Sequence, residues 1–549
     1  ADYRDPHPRV SVFDDLPMRV AIVGGGVSGI ATAVTLQREG HEVTVYEASS
    51  KIGGVWNHVY PGAKLQNTRE HYRLGDFAWK PLPGQHPTAS DILHYLSRVV
   101  DYFKVDVSLE SKVVGAKEIR SRPEDGKCVT CGWKITLERD GNTFTKEIDY
   151  LVVATGHYFP SDADDKYIRS TLPGIADFKG DFVSTRALKS FASLRKNKSV
   201  IVIGNGKTAL DFCDALSAPV ANAQEPPAPV VHHVFREARW PVVEYFFGFI
   251  HYRWILWTRV NTVMIPGWLY PSHLEQVLHK YLWFIVWGFW GMLQSLLVLQ
   301  YFSHAIGYGF DAWRRIASVV PWDHSIVFDM RNATAVLSNA ILPRIAKGCI
   351  VPHKATIKRV TPRAVELSTG EIIQCDAILA ACGNAAPTLP FLPSWCREAL
   401  HVSDPRGVQL YRHAIHPDIP HLAFAGYNHG FMHVPLAEVS ALWLSAVMKG
   451  ELKLPSPEKM HWAIEHVRRF KREKIAREPT ANSSVSTRYQ SHLDGLLIEL
   501  GMNPYRKSNA LLEWFTPYAA ADYSGIIAER NEVRKRETGT RTCRTDLLF

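Results

Sequence analysis

Two strand–glycine-turn–helix cycles, two matching apolar strands ending on small-residue turns, and one long aromatic stretch predict the fold class. The chain reads as α/β, with two Rossmann-like dinucleotide-binding domains, the first discontinuous, and an aromatic-rich, largely helical insertion. The first cycle opens with Met18–Val23, an apolar run of strand type, and continues as Gly24-Gly25-Gly26-Val27-Ser28-Gly29. A helical pattern through Ile30, Val34 and Leu36 stops at Gly40, and a second strand, His41–Tyr46, closes on Glu47. Strand, G-x-G-x-x-G, helix, strand and acid in register form a dinucleotide fingerprint. Gly24 permits the tight turn, Gly26 lets the backbone approach a pyrophosphate, and Gly29 lets helix and strand pack closely. Free N–H groups at Val27 and Ser28 face the phosphates, and Glu47 accepts hydrogen bonds from a ribose.

Composition bounds the rest. With 549 residues, 46% hydrophobic and 21% charged, the chain is long enough for two or three globular domains. The net charge of +9 is modest for this length. Its clusters, Arg468–Arg477 and Arg534–Arg541, read as solvated helix faces and a tail. No nucleic-acid module is recognisable. Eight cysteines are scattered. Cys128 and Cys131 form one C-x-x-C without a second pair or a histidine cluster, so no metal is expected. Free thiols suit a reducing, cytoplasmic setting, and Ala1–Pro17 reads as an arm rather than a targeting segment.

After Glu47, Gly54-Val55-Trp56 suits a segment lying against a flat ring system, and Gln66-Asn67-Thr68 follows. The Asn67 amide offers both a donor and an acceptor; in spacing alone it reads as a turn residue. Asp91–Phe103 has the apolar spacing of an amphipathic helix, and Val105–Ile148 alternates as a small antiparallel sheet. Asp149–Gly156 is a buried strand ending in a small-residue turn. A second cycle then repeats the first. Lys198–Ile203 is a strand, Gly204-Asn205-Gly206-Lys207-Thr208-Ala209 a turn, and a helix follows through Leu210, Phe212 and Ala215. The next strand, Val230–Phe235, ends on Arg236 rather than an acid, which suits a 2′-phosphate and so NADP over NAD. Asp376–Gly383 repeats the form of Asp149–Gly156. Two nucleotide sites in one chain imply one cofactor reducing another.

The expected divisions are 18–165 and 384–455 for the first domain, 166–383 for the second with the insertion at about 240–322, and 456–549 as a C-terminal extension. Within the insertion, Tyr281–Phe310 has no Asp, Glu, Lys or Arg. Tyr281–Tyr301 is long enough to span a bilayer, but Gln294, Gln300 and several tryptophans dilute it. A buried lid, a helix lying in a membrane interface and a span are the three readings. Leu422–Gly426 is a further strand into a glycine turn, expected to return to the first sheet, and Val434–Met448 is a helix. Ala528–Phe549 lacks periodicity and is expected to be loose.

These residues together resemble the flavin-containing monooxygenases. Gly24–Gly29, Glu47, Val55-Trp56 and Gln66-Asn67-Thr68 match the family's flavin-side positions. Gly204–Asp211 resembles its NADP turn, with Gly206, Lys207, Thr208, Ala209 and Asp211 as contacts, and Arg236 its 2′-phosphate arginine. Asp376–Gly383 with Pro390-Phe391-Leu392, Leu410-Tyr411-Arg412, Ile415-His416-Pro417, Leu422–Tyr427 with Gly426, and Leu454-Pro455-Ser456 fit as well. Gly501–Lys507 resembles the plant and fungal branch. The linker pattern F-x-G-x-x-x-H departs: Phe178 and Gly180 hold, but Ser184 replaces the histidine and Leu188 the aromatic four residues on. Lys207 and Thr208 stand where the family has Asn and Ser, and Cys382 replaces the threonine of A-T-G.

The resemblance implies that NADPH reduces FAD and that oxygen then adds at carbon 4a of the flavin. One oxygen atom passes to a soft nucleophile, an amine nitrogen or a thioether sulfur, with Asn67 closest to the chemistry. A Baeyer–Villiger enzyme acting on a ketone and an NADPH oxidase or reductase are the rivals. The expected partners are O2 and a small, hydrophobic substrate, with peripheral membrane contact through 281–301 and a homodimer as open readings.

Overall fold

A computed structural model describes residues 17–121, 129–157, 168–185, 187–219, 227–265, 271–331, 335–383, 387–475, 481–536 and 541–542. Cys128, the arm before residue 17 and most of the last dozen residues lie outside these.

In a six-stranded sheet, Arg19–Val23 runs parallel between Glu42–Tyr46 and Tyr150–Val153, with Asp106–Ser108 beyond the former. Ile419–Phe424 pairs in parallel with Tyr150–Val153, so the sheet is assembled from two distant pieces of sequence. Its central strands are continuous apolar runs because both faces are covered. On one face Val20, Ile22 and Val152 pack with Ile30 and Val34 of the helix Val27–Arg38 and with the helix His433–Met448. On the other, Ala21, Val23 and Leu151 pack with Trp133, Ile135 and Leu137 of an antiparallel sheet formed by Lys112–Ser121, Val129–Arg139 and Asn142–Ile148.

The second sheet repeats this plan. Its order is Ile350–Lys354, Val230–Phe235, Ser199–Ile203, Ala377–Ala380, Asp181–Ser184, all parallel. The helix Lys207–Ser217 follows its central strand, and the antiparallel strands Ile357–Val360, Ala364–Leu367 and Ile372–Gln374 precede Ala377–Ala380. The equivalence reaches single atoms. The Asp149 carboxylate accepts from the backbone N–H of Arg19 at 2.8 Å, and Asp376 accepts from that of Ser199 at 3.1 Å. Each acid thus joins the start of its own strand to the start of the central one.

The long helix of the insertion packs along one of its faces. The helix runs from Trp283 to Ser303; Tyr281 instead ends the preceding helix, His273–Tyr281, because Leu282 breaks the helical path. Val286, Trp290, Leu293, Leu297 and Tyr301 form the buried stripe. The two glutamines that interrupt its apolar run bond to the protein: Gln300 donates to Tyr245 O at 2.9 Å, and Gln294 accepts from Ile326 N–H at 3.0 Å. Trp283, Phe284, Trp287, Met292 and Leu299 face outward and are exposed.

The C-terminal extension departs from expectation. Residues 526–536 are helical rather than loose, because arginines take the place of apolar contacts. Arg530, buried, donates to Leu500 O at 2.7 Å and pairs with Glu451, and Arg534 pairs with Glu39 and Glu451. The basic stretch near Arg468 is not wholly a solvated face either: Lys471 is fully buried and donates to the carbonyls of Asn482 and Ser484. Arg259 meets Asp494 and Glu513, and Arg488 meets Glu275, in ion pairs that tie the insertion to the extension. Removing one partner of such a buried pair strands the other.

Candidate functional site

Parallel strands bring their C-terminal ends to one edge, where open α/β sheets bind ligands. In the first sheet that edge carries Gly24, Glu47, Gly156 and Gly426. Gly24 has φ +115°, and a Cβ there would sit 2.6 Å from Ala154 O; one on Gly29 would sit 2.0 Å from Gly24 O. Both positions are closed by the protein's own backbone. Gly26 is different: a Cβ there would meet nothing closer than Gly54 Cα at 3.8 Å. The helix at Val27 has no side-chain cap, so the N–H groups of Val27, Ser28 and Gly29 are available to an anion. Glu47 accepts from Gly25 N–H at 2.7 Å and from Ser49. Gly54 opens the short turn Gly54–Asn57 directly over Gly26, where Trp56 donates to Tyr72 OH at 3.0 Å and Val55 is exposed. A dinucleotide's phosphates fit this cradle.

Asn67 is buried. Its Nδ2 donates to the Phe431 carbonyl, just before the helix His433–Met448, and its Oδ1 is buried without a partner. Of the donor and the acceptor that the amide offers, the free group is therefore the acceptor. Gln66 is consumed locally: its carbonyl accepts from Tyr252 OH at 2.8 Å and its side chain from Val336 N–H. Thr68 bonds to the ring of His71 at 2.8 Å. Burial pushes His71 down to about 3.

The second edge carries Ser184, Gly204, Arg236 and Cys382. Gly204 repeats Gly24, with φ +122° and Ala381 O at 2.3 Å from a would-be Cβ. Gly206 starts the helix at Lys207 with no side-chain cap and open space at its Cα, next to Thr208 and the buried Ala209. Asn205 donates to Glu237 O at 2.8 Å, holding the turn against the segment that carries Arg236. Arg236 is exposed, and its charge works against the burial that raises the Cys382 thiol. Lys207 and Asp211 form an ion pair with each other, and Tyr60 OH donates to Asp211. Through Tyr60 this pair joins the flavin-side segment to the second glycine turn.

Several participants escaped the sequence reading. His433 meets Ser28 at 2.8 Å, His157 meets Gly426 O at 2.8 Å, and burial holds these histidines neutral, at about 4 and about 3. His157 directly follows the small-residue turn at Gly156, a position that could have drawn notice. Phe431 and Tyr60 carry no such signal.

Residues 17–224 match the flavin-binding monooxygenase-like family. A probable flavin-containing monooxygenase 1 of Arabidopsis thaliana is 29% identical over 92% of this chain and 96% of its own length. An N-oxide-forming dimethylaniline monooxygenase 2 of Macaca mulatta is 24% identical over 88% of this chain and 83% of its own. Among solved structures, S-allyl-L-cysteine S-oxygenase from Allium sativum superposes with a TM-score of 0.59 at 19% identity, covering 97% of each chain. With the matched module at one end and relatives aligned along nearly the whole length, this chain is similar to the flavin-containing monooxygenases.

Proposed function

We propose that this protein is an FAD- and NADPH-dependent monooxygenase that oxygenates a soft nucleophile, an amine nitrogen or a thioether sulfur. The observation that carries the reading is the repeated pair of uncapped glycine turns, one followed by Glu47 and the other by Arg236. FAD would be held at Gly24, Gly26, Val27, Ser28, Gly29, Glu47 and Gly54, and NADPH at Gly204, Gly206 and Arg236. Bound FAD supplies two-electron redox chemistry and reaction with O2, with NADPH as the hydride source. The chain's own part is to position, to exclude water and to hold polar groups fixed. Asn67, locked by Phe431 and presenting one buried acceptor, suits an N–H group of a bound cofactor. N- or S-oxygenation is favoured over Baeyer–Villiger chemistry by Ser184 and Leu188, which stand where a resemblance to that class would imply a histidine followed by an aromatic or acidic residue.

Arg236→Ala tests the nicotinamide assignment. It removes a charge-assisted contact that only the 2′-phosphate makes, so NADPH affinity is expected to fall by roughly 1.5–3 kcal/mol while NADH affinity is unchanged. Equal weakening of both, in titrations followed by flavin reduction, would assign the selection elsewhere.

A second reading concerns location. We propose that the outward face of Trp283–Ser303 lies in a lipid interface. One face is docked through Gln294, Gln300 and Trp290, and the other is apolar without a charged side chain. Exposed Phe249, Ile306 and Phe310 add to this apolar surface. Replacing Trp283, Phe284 and Trp287 together by Ser is expected to abolish co-sedimentation with phospholipid vesicles while leaving bound flavin unchanged. Equal vesicle binding by the triple variant would refute the contact.

A further inference from the structure

Where the insertion meets the flavin-side segment, three side chains distant in sequence converge: His86, Glu244 and His251. Their candidate ligand atoms all lie within 4.8 Å of one another. The hairpin Tyr245–Phe246/Ile250–His251 brings two of them together, since His251 pairs across it with Tyr245 and Tyr252 N–H donates to Glu244 O at 3.1 Å. His86 is held from the other side. Its Nδ1 lies 3.0 Å from Leu65 O and 3.1 Å from Asn67 O, both acceptors, so this nitrogen carries the proton.

The lone pair of His86 Nε2 is therefore turned inward. That atom is buried without a hydrogen-bond partner, and Glu244 Oε1 lies 3.6 Å away. The His86 imidazole holds the Glu244 carboxyl below its usual range. His251, itself 5% exposed, adds a third side chain: its Nε2 is also buried and unpartnered, and it carries the ring proton because Nδ1 accepts from Arg253 N–H at 3.3 Å. A proton shared by His86 and Glu244 would leave His251 unsatisfied, whereas one cation satisfies all three. The flanking cations Arg253 and Lys207 pair with Glu70 at 3.7 Å and with Asp211, and their charge also reaches His251 and Glu244. Glu244 is left to supply the negative charge.

We propose that His86, Glu244 and His251 form a binding site for a zinc-class divalent cation. Two imidazoles and one carboxylate make a common three-ligand set for Zn2+, with a fourth position left open. The Nδ1 bonds of His86 to backbone carbonyls are the outer contacts that orient a metal-binding imidazole. Ligand atoms around tetrahedral zinc sit roughly 3.3 Å apart, so the three side chains close inward on binding. To bind through Nε2, His251 shifts its proton to Nδ1 and gives up the 3.3 Å contact of that atom with Arg253 N–H. The ion would pin the inserted hairpin to the segment carrying Asn67 and leave its open position for a donor atom of a ligand. The cluster His416, Asp418 and His461 offers no comparable case, because its acid is exposed and already bonded to His461 at 2.9 Å.

The test uses chelator-treated, flavin-loaded protein titrated with ZnCl2 by calorimetry, with thermal melting and zinc-edge X-ray absorption on the loaded sample. The expected result is one equivalent bound, a raised melting temperature, and an absorption spectrum with two imidazoles in the zinc shell. Glu244→Gln and His251→Phe should each weaken binding at least about tenfold with the flavin absorbance retained, and His461→Ala should leave it intact. Absence of saturable binding by the native protein overturns the proposal. So does binding that survives both variants, that His461→Ala abolishes, or that shows no imidazole in the spectrum.

Discussion

Gly26→Ala is expected to give a folded but colourless protein, and Gly29→Ala to give little folded protein at all. Both are one-methyl changes in one glycine turn, and the structure separates them. The new Cβ at Gly29 would lie 2.0 Å from Gly24 O, a backbone atom that cannot move without breaking the turn. At Gly26 the new methyl meets only Gly54 Cα at 3.8 Å, an ordinary contact, and φ is negative there. The protein alone tolerates it. What does not is a pyrophosphate lying against the uncapped helix at Val27, for which Gly26 leaves the space. Absorbance near the flavin band and circular dichroism, measured on both variants, check this. A fully yellow Gly26→Ala protein would remove the assignment of this turn to FAD.

The features legible in sequence were those written locally. Gly24–Gly29 and Gly204–Ala209 declare their turns because strand, glycines and helix are contiguous, and Asp149 and Asp376 announce the repeat by position. The apolar run beginning near Tyr281 was legible as a helix, but not its sidedness, which depends on Gln300 finding Tyr245 O and Gln294 finding Ile326 N–H. Other features depend on partners far along the chain. The glycine turn does not record that Lys207 pairs with Asp211 or that Tyr60 donates to Asp211. The helix at 526–536 lacks an apolar stripe because Arg530 and Arg534 reach Glu451 and Glu39, and no local period records such pairs. His86 is likewise far in sequence from Glu244 and His251, beyond any spacing rule for metal ligands.

Asn67 makes the sharpest test of the chemistry. Its amide does two things a carboxylate or a methyl cannot do together: it donates to the Phe431 carbonyl and holds a neutral acceptor, Oδ1, in a buried place. Asn67→Asp sets a carboxylate against that carbonyl and adds negative charge where negative charge develops during oxygen transfer. Asn67→Ala removes the amide without adding charge. Each variant leaves the Phe431 carbonyl without its donor, so each should lose about 1–3 kcal/mol of stability, with Asp at the upper end. Both should keep flavin, because Gly26, Glu47 and the helix at Val27 are untouched, and both should still be reduced by NADPH. Product per NADPH is expected to fall steeply in Asn67→Asp, because the added carboxylate repels developing negative charge, with hydrogen peroxide rising to match. The alanine variant should uncouple less, since it adds no repulsion. Reduction rate, product and peroxide measured side by side on both variants decide the matter. If both melt earlier yet couple as well as the native enzyme, Asn67 is an anchor for Phe431 and nothing more; if coupling collapses while flavin reduction holds, the amide acts on the chemistry itself.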